Sequence, residues 1–226
     1  DAFLSMTNQD SDGLFDNDWD ERRELSWTEA DWEGYLAEHE TAVGDYLKHY
    51  EQLPAAPDRI DEVARRMGWD MQPGETEDVE LETEADEEAP GFEEDFDLYT
   101  VHRNPVHIAT KALYLSLLTN WDRIAAHPER IHPAVALAVQ SSLYRGREHA
   151  LQAVQSLDMG DYSLAVCFFK RALRELNDTH ALISRETDGN AGLMTRFREF
   201  ATPRLFDLRE IWLRVMAECR NAERGG

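Results

Sequence analysis

The stretch His132–Glu186 reads HPAVALAVQSSLYRGREHALQAVQSLDMGDYSLAVCFFKRALRELNDTHALISRE, and it decides the fold. Pro133 sits where a first-turn proline belongs, because the N–H it lacks would have no helical acceptor there. Gly160 suits the left-handed residue just past a helix end, and Asp161 can cap the helix that follows. Beyond that corner, Ala165, Phe169, Ala172, Leu176 and Ile183 step by three, four or seven. At about 100° per residue they make one narrow apolar stripe. Before the corner, Val139, Leu143, Gly146, Ala150, Ala153 and Leu157 make a second stripe, rich in small residues. Long helices joined by a short corner become antiparallel neighbours. Gly146 is expected in their contact.

The pattern extends on both sides. Asn104-Pro105 reads as the N-cap and first position of a helix running to about His127. Its apolar sets are Ile108, Ala112, Leu115 and Leu113, Leu117, Trp121, and Pro128 closes it. After a turn at Asp188-Gly-Asn190, a last helix runs from Ala191 to about Asn221, kinked or divided by Pro203. Leu193, Phe197, Phe200, Leu208, Ile211 and Val215 hold one phase across that proline. The expectation is an all-α protein, with an antiparallel up-and-down four-helix bundle over about residues 104–221.

Toward the N-terminus the signals thin. Residues 1–24 read as an irregular arm. Ser26-Trp-Thr-Glu29 has the form of a capping box, opening a helix to about Leu53. Its stripe is aromatic: Trp32, Tyr35, Val43, Tyr46 and Tyr50, with His39 in phase. Such a face packs, or it stacks a ligand. Trp32, Tyr35 and Tyr46 are therefore binding candidates. Asp58–Met67 reads as a short helix ended by Gly68. Only Val79–Thr83 carries a trace of strand alternation.

Charge divides the chain near Thr100. Residues 1–100 carry 32 acidic and 6 basic side chains; residues 101–226 carry 14 and 17, for a net −23. We read 1–100 as an acidic N-terminal region, with helices over 26–68, and 101–226 as the bundle. From Glu75 to Asp97, 13 of 23 residues are acidic and none is basic. Segment 72–99 is then a solvated linker, or a strap anchored by Phe92, Phe96 and Tyr99. Arg198, Arg209 and Arg220 recur every 11 residues. On a helix that spacing drifts only about 20°, so they form a row that could hold the strap.

The acidity disfavours nucleic acid and anionic membrane as partners and favours a basic protein. No apolar run approaches the roughly 20 residues of a membrane span. Two cysteines, Cys167 and Cys219, do not make a disulfide framework, which points to a reducing compartment. Asp1–Thr7 lacks the basic and apolar regions of a signal peptide, so the expected location is cytoplasmic.

Sites for chemistry are sparse. A carboxylate-bridged metal pair in a bundle wants two Glu-x-x-His units, and the chain offers one, Glu129–His132. Asp45 and His49 stand four apart, too few ligands for a metal. No metal or other cofactor is expected. His180 lies beside the core stripe, either as a satisfied core histidine or as a general base.

Two short segments resemble known families. Gly160, Tyr162, Ala165, Phe169 and Ala172 fall at the spacing of the second helix of a tetratricopeptide repeat, although no second copy follows at that family's period. Arg174-Glu-Leu-Asn-Asp-Thr-His180 resembles the Arg-x(4–6)-His signature of the HEPN ribonucleases, which are also helical bundles. That resemblance implies RNA cleavage at the 2′-hydroxyl by Arg174 and His180. On a continuous helix the two side chains stand about 120° apart. The chain also lacks the basic surface that RNA affinity needs. The expected function is non-catalytic, through binding of another macromolecule. The alternatives are the RNA-cleaving bundle and an acidic decoy that imitates nucleic acid.

Overall fold

The computed structural model describes residues 27–69, 101–129, 131–185 and 191–225. Within them the regular structure is all helical: α1 (Glu29–Gln52), α2 (Arg59–Arg66), a 3₁₀ turn (Val101–Arg103), α3 (Pro105–Ala125), α4 (Pro133–Asp158), α5 (Tyr162–Arg185) and α6 (Ala191–Gly225). The arm at 1–24, the Val79–Thr83 pattern, the acidic strap or linker at 72–99 and the Asp188–Asn190 turn lie outside the described residues. The chain separates into two compact units, Asp1–Glu38 and His39–Gly226. The compositional break falls elsewhere, near Thr100.

In the first unit α1 starts at Glu29, three residues after the expected cap Ser26, which lies outside the described residues, and Thr28 makes the reciprocal pair with Asp31. The Asp31 carboxylate accepts from Thr28 N at 2.8 Å and Thr28 Oγ1 at 2.6 Å, and Asp31 N donates back to Thr28 Oγ1 at 3.3 Å. An acid three residues after a threonine caps as well as the glutamate–serine pair does. Trp27, Trp32 and Tyr35 form an edge-on aromatic group, with ring centroids 4.7–6.0 Å apart.

In the second unit α3 to α6 pack in a ring. α3 touches α4 and α6, and α5 touches α4 and α6. Asn104 caps α3 as the sequence implies, and His132 caps α4, which the sequence reading did not name. Asn104 Oδ1 accepts from Val106 N at 2.9 Å, and His132 Nδ1 accepts from Ala134 N at 3.2 Å. Gly160 has φ +74°, the corner closes through Gly160 N to Leu157 O and Asp161 N to Ser156 O, and Asp161 Oδ1 accepts from Leu164 N. These satisfy N–H and C=O groups that helix ends leave bare.

The α4–α5 contact uses the expected stripes. Val139, Leu143, Gly146, Ala150 and Ala153 face Ala165, Phe169, Ala172, Leu176 and Ile183, all buried, with Leu157 at the edge. Two expectations shift. Leu115 is half exposed, because α3 is buried on its other sides by Ile108, Ala112, Leu113, Leu117 and Trp121. In α6 the buried line runs through Met194, Phe197, Ala201, Leu205, Leu208, Trp212, Met216 and Cys219. Phe200, Ile211 and Val215 are only its flank, and Leu193 is half-buried. α6 continues through Pro203 as one element. Beside the proline, the Arg204 guanidinium donates to the backbone carbonyl of Phe200 at 2.9 Å.

Several buried polar groups inside the ring pair with one another. Trp212 Nε1 donates to Thr110 Oγ1 at 3.1 Å, and Ser142 and Thr179 hydroxyls meet at 2.6 Å. Residues 39–66 lie across α3 and α6. Tyr50 donates to Asp207 Oδ2 at 2.6 Å, Arg59 Nε reaches the same oxygen at 3.0 Å, and Arg59 sits over the Tyr50 ring. Arg214 pairs with Asp61. Both cysteines are free thiols.

Candidate functional site

Three imidazoles and one amine converge where α1, the 3₁₀ turn and α3 meet. The rings of His39, His102 and His107 stand 5.0–5.1 Å apart, centroid to centroid. Helical spacing explains two members, since His107 and Lys111 are one turn apart on α3. His39 Nδ1 is 2.8 Å from the carbonyl oxygen of His102, so that nitrogen carries the proton. Its Nε2 is then an acceptor, and Lys111 Nζ donates to it at 2.8 Å. Both His39 nitrogens are thereby engaged, and an ammonium occupies the centre. Among the described residues no group of three or more His, Cys, Asp or Glu is placed to hold a metal. The single Glu129-x-x-His132 unit is split, with Glu129 paired to His127 and His132 used as a cap.

Burial is the main reason that the basic members of this cluster hold their protons less tightly than usual, and mutual repulsion adds to it. His39, His102 and Lys111 are all shifted down, and His107 falls to about 3. Glu40 and Asp158 oppose the shift through space, while Arg147 reinforces it at Lys111. His107 is buried, and its Nδ1 has no hydrogen-bond partner among the described residues.

A depressed histidine stabilises the fold above its unfolded pKa, near 6.5, and that contribution is lost as pH falls from there toward 3. Allowing for solvent screening, His107 should cost the fold about 1–2 kcal/mol between pH 7 and pH 5. His107→Leu should flatten that slope in urea melts at the two pH values. An unchanged slope would show that the ring is not forced to protonate inside the fold.

A second feature is a groove of about 570 Å³ between the outer faces of α4 and α5. Ala134, Leu137, Ala138 and Ser141 on α4 meet Ala181 and Leu182 on α5, with Arg145, Asp178 and Arg185 also lining it. Steps of three and four put each set on one helix face. Leu137 is 65% exposed there. Residues 39–66 cover part of the α3/α6 side, through Tyr50 and Arg59 on Asp207 and Asp61 on Arg214, whereas no described residue covers this groove.

The residues marked as candidates by sequence are scattered. Tyr35 and Tyr46 are buried and Trp32 half-buried; Tyr46 stacks on Trp69 at 5.7 Å. On α6, Arg209 and Arg220 are exposed and Arg198 half-buried; the strap they could hold lies outside the described residues. Arg174 is exposed, and His180 is half-buried edge-on to Phe206 at 5.7 Å. Neither lines the groove. Sequence reading missed the histidine–lysine cluster, whose only signal was His39 in phase with an aromatic stripe. No described helix is long and apolar enough to cross a membrane. No protein family, no curated protein and no solved structure matches the chain.

Proposed function

We propose that the chain is a non-catalytic, cytoplasmic interaction protein whose bundle receives an amphipathic helix of another protein in the α4/α5 groove. The observation that carries this reading is the asymmetry of the bundle. Residues 39–66 are bonded across the α3/α6 side, and the α4/α5 groove presents Leu137 and small apolar residues to solvent. A helix seats in such a groove through residues at i, i+3, i+4 and i+7. Arg185, with no described ion pair, favours a carboxylate on that helix's flank. The net charge of −23 resists a second copy of this chain and draws a partner that is basic overall.

A photo-crosslinking residue at position 138, with a control at exposed Leu213, tests this in cells. The expected product is one partner peptide, captured from position 138 alone. As a synthetic helix it should bind the purified chain, and Leu137→Asp should weaken it about tenfold or more. Equal capture at both positions, capture of the chain itself, or binding indifferent to Leu137→Asp would overturn the proposal.

A further inference from the structure

We propose that the cleft between α2, α6 and the start of α3 binds a small, uncharged, planar aromatic molecule that accepts a hydrogen bond from Tyr46. The cleft encloses about 220 Å³. An apolar cavity of roughly 150 Å³ takes one benzene ring, so this one has room for two fused rings. Its walls are apolar: Ile60 and Ala64 from α2, Val106 and Ala109 from α3, Ile211 and Val215 from α6. The aromatic part of the lining is set by the turn after α2. Gly68, at φ +73°, turns the chain, and Trp69 N donates to Ala64 O at 3.0 Å. That bond holds Trp69 beside Tyr46, their rings 19° from parallel and 5.7 Å apart by centroid. Aromatic walls favour a flat guest, which stacks on them as it leaves water.

Tyr46 itself selects the chemistry of the guest. It is 1% exposed and lines the cleft, and its hydroxyl has no hydrogen-bond partner among the described residues. A hydroxyl buried unpaired costs stability, and a bound acceptor removes that cost. Burial, with Asp207 acting through space, pushes the phenol well above its usual range, so it stays a donor. Charge at the mouth turns anions away. Asp61, Arg214 and Glu218 stand exposed there. Arg214 already pairs with Asp61 and Glu210, so the lining offers an anion no uncommitted cation. A ring nitrogen or a carbonyl supplies the acceptor without the charge. None of these residues lines the α4/α5 groove, so the two sites stand or fall separately.

The test is a titration of the whole, isotopically labelled chain with quinoline, whose ring nitrogen accepts. Indole, of similar size, has an N–H that only donates and serves as the comparison. Binding is read from the Trp69 indole N–H signal, assigned with Trp69→Phe. Quinoline should move that signal saturably, and indole should bind about tenfold more weakly. Naphthoate, an anion of similar shape, should also bind more weakly than quinoline. Tyr46→Phe should bring quinoline down to the affinity of indole. The same variant should leave the urea midpoint unchanged or raised, because the hydroxyl it removes has no partner in the free chain. A Trp69 signal that quinoline does not move would overturn the proposal, and so would equal binding of quinoline and indole, naphthoate binding as tightly as quinoline, or quinoline binding indifferent to Tyr46→Phe. The first three results come from the unaltered chain and so do not depend on a variant folding.

Discussion

Asp207→Ala is expected to destabilise the protein by about 3–5 kcal/mol, because it strands a buried charge. Arg59 is only 7% exposed, and the Asp207 carboxylate is its partner, with Nε at 3.0 Å. The same carboxylate oxygen accepts from Tyr50 at 2.6 Å. Removing it leaves a guanidinium and a phenol without the acceptor they share; burial, with the hydrogen bond to Asp207, pushes the Tyr50 hydroxyl well above the usual phenol range. The midpoint of thermal unfolding should fall by roughly 10 °C or more for a chain of this size. Asp207→Asn, which keeps an oxygen acceptor but no charge, should recover part of the loss. A calorimetric scan of the three proteins decides the matter. If alanine costs under about 1 kcal/mol, Arg59 escapes to water and residues 39–66 are loosely held.

Gly146→Leu has the next largest expected effect. A Cβ at position 146 would lie 2.5 Å from the Tyr114 hydroxyl oxygen and 3.4 Å from Glu175 Cβ. Tyr114 cannot readily withdraw. It is fully buried, and its ring stacks on Trp212 at 6.2 Å. Even Gly146→Ala should cost about 1–3 kcal/mol by overpacking, and leucine, with three more carbons, should exceed alanine. Tyr114→Phe removes the colliding oxygen, so the pair Gly146→Ala with Tyr114→Phe should be more stable than the two separate losses imply. A urea-denaturation cycle on the four proteins measures that coupling. Additive losses would place the strain at Glu175 instead.

The difference between what the residues announced and what they hid is one of range. The corner at Gly160, the caps at Asn104 and Asp161 and the stripes of α4 and α5 were legible, because each signal lies within a few residues of its effect. Capping chemistry also leaves the start of α1 open to within two residues, since Thr28–Asp31 and Ser26–Glu29 are both acceptable pairs. The α6 stripe was misplaced for a different reason. Counting Leu193, Phe200 and Ile211 by hydrophobicity overlooked Ala201 and Trp212, whose places are set by the shape of the neighbouring helices. Asp207 was invisible, since an aspartate on a helix reads as a solvated side chain until Arg59 and Tyr50 arrive. The histidine–lysine cluster was hidden likewise: His39 and Lys111 are 72 residues apart in sequence. The α4/α5 groove was half legible. Its small residues could be read from the sequence, but that residues 39–66 are bonded across the α3/α6 side and not this one could not.

The bonds that hold residues 39–66 in place impose an order on assembly. Arg59 and Tyr50 are separated from Asp207 by 148 and 157 residues, and Asp61 from Arg214 by 153. The α4–α5 hairpin closes across a three-residue corner, Met159–Asp161. Loop-closure entropy grows with the logarithm of the span, and contacts between sequence neighbours form first. During synthesis, Tyr46, Tyr50 and Val63 leave the ribosome long before α6 exists to cover them. The hairpin, by contrast, meets its partner helix as soon as it is made. The N-terminal helices are thus made first and seated last, and until α6 arrives their aromatic face is open to chaperones and to misassociation.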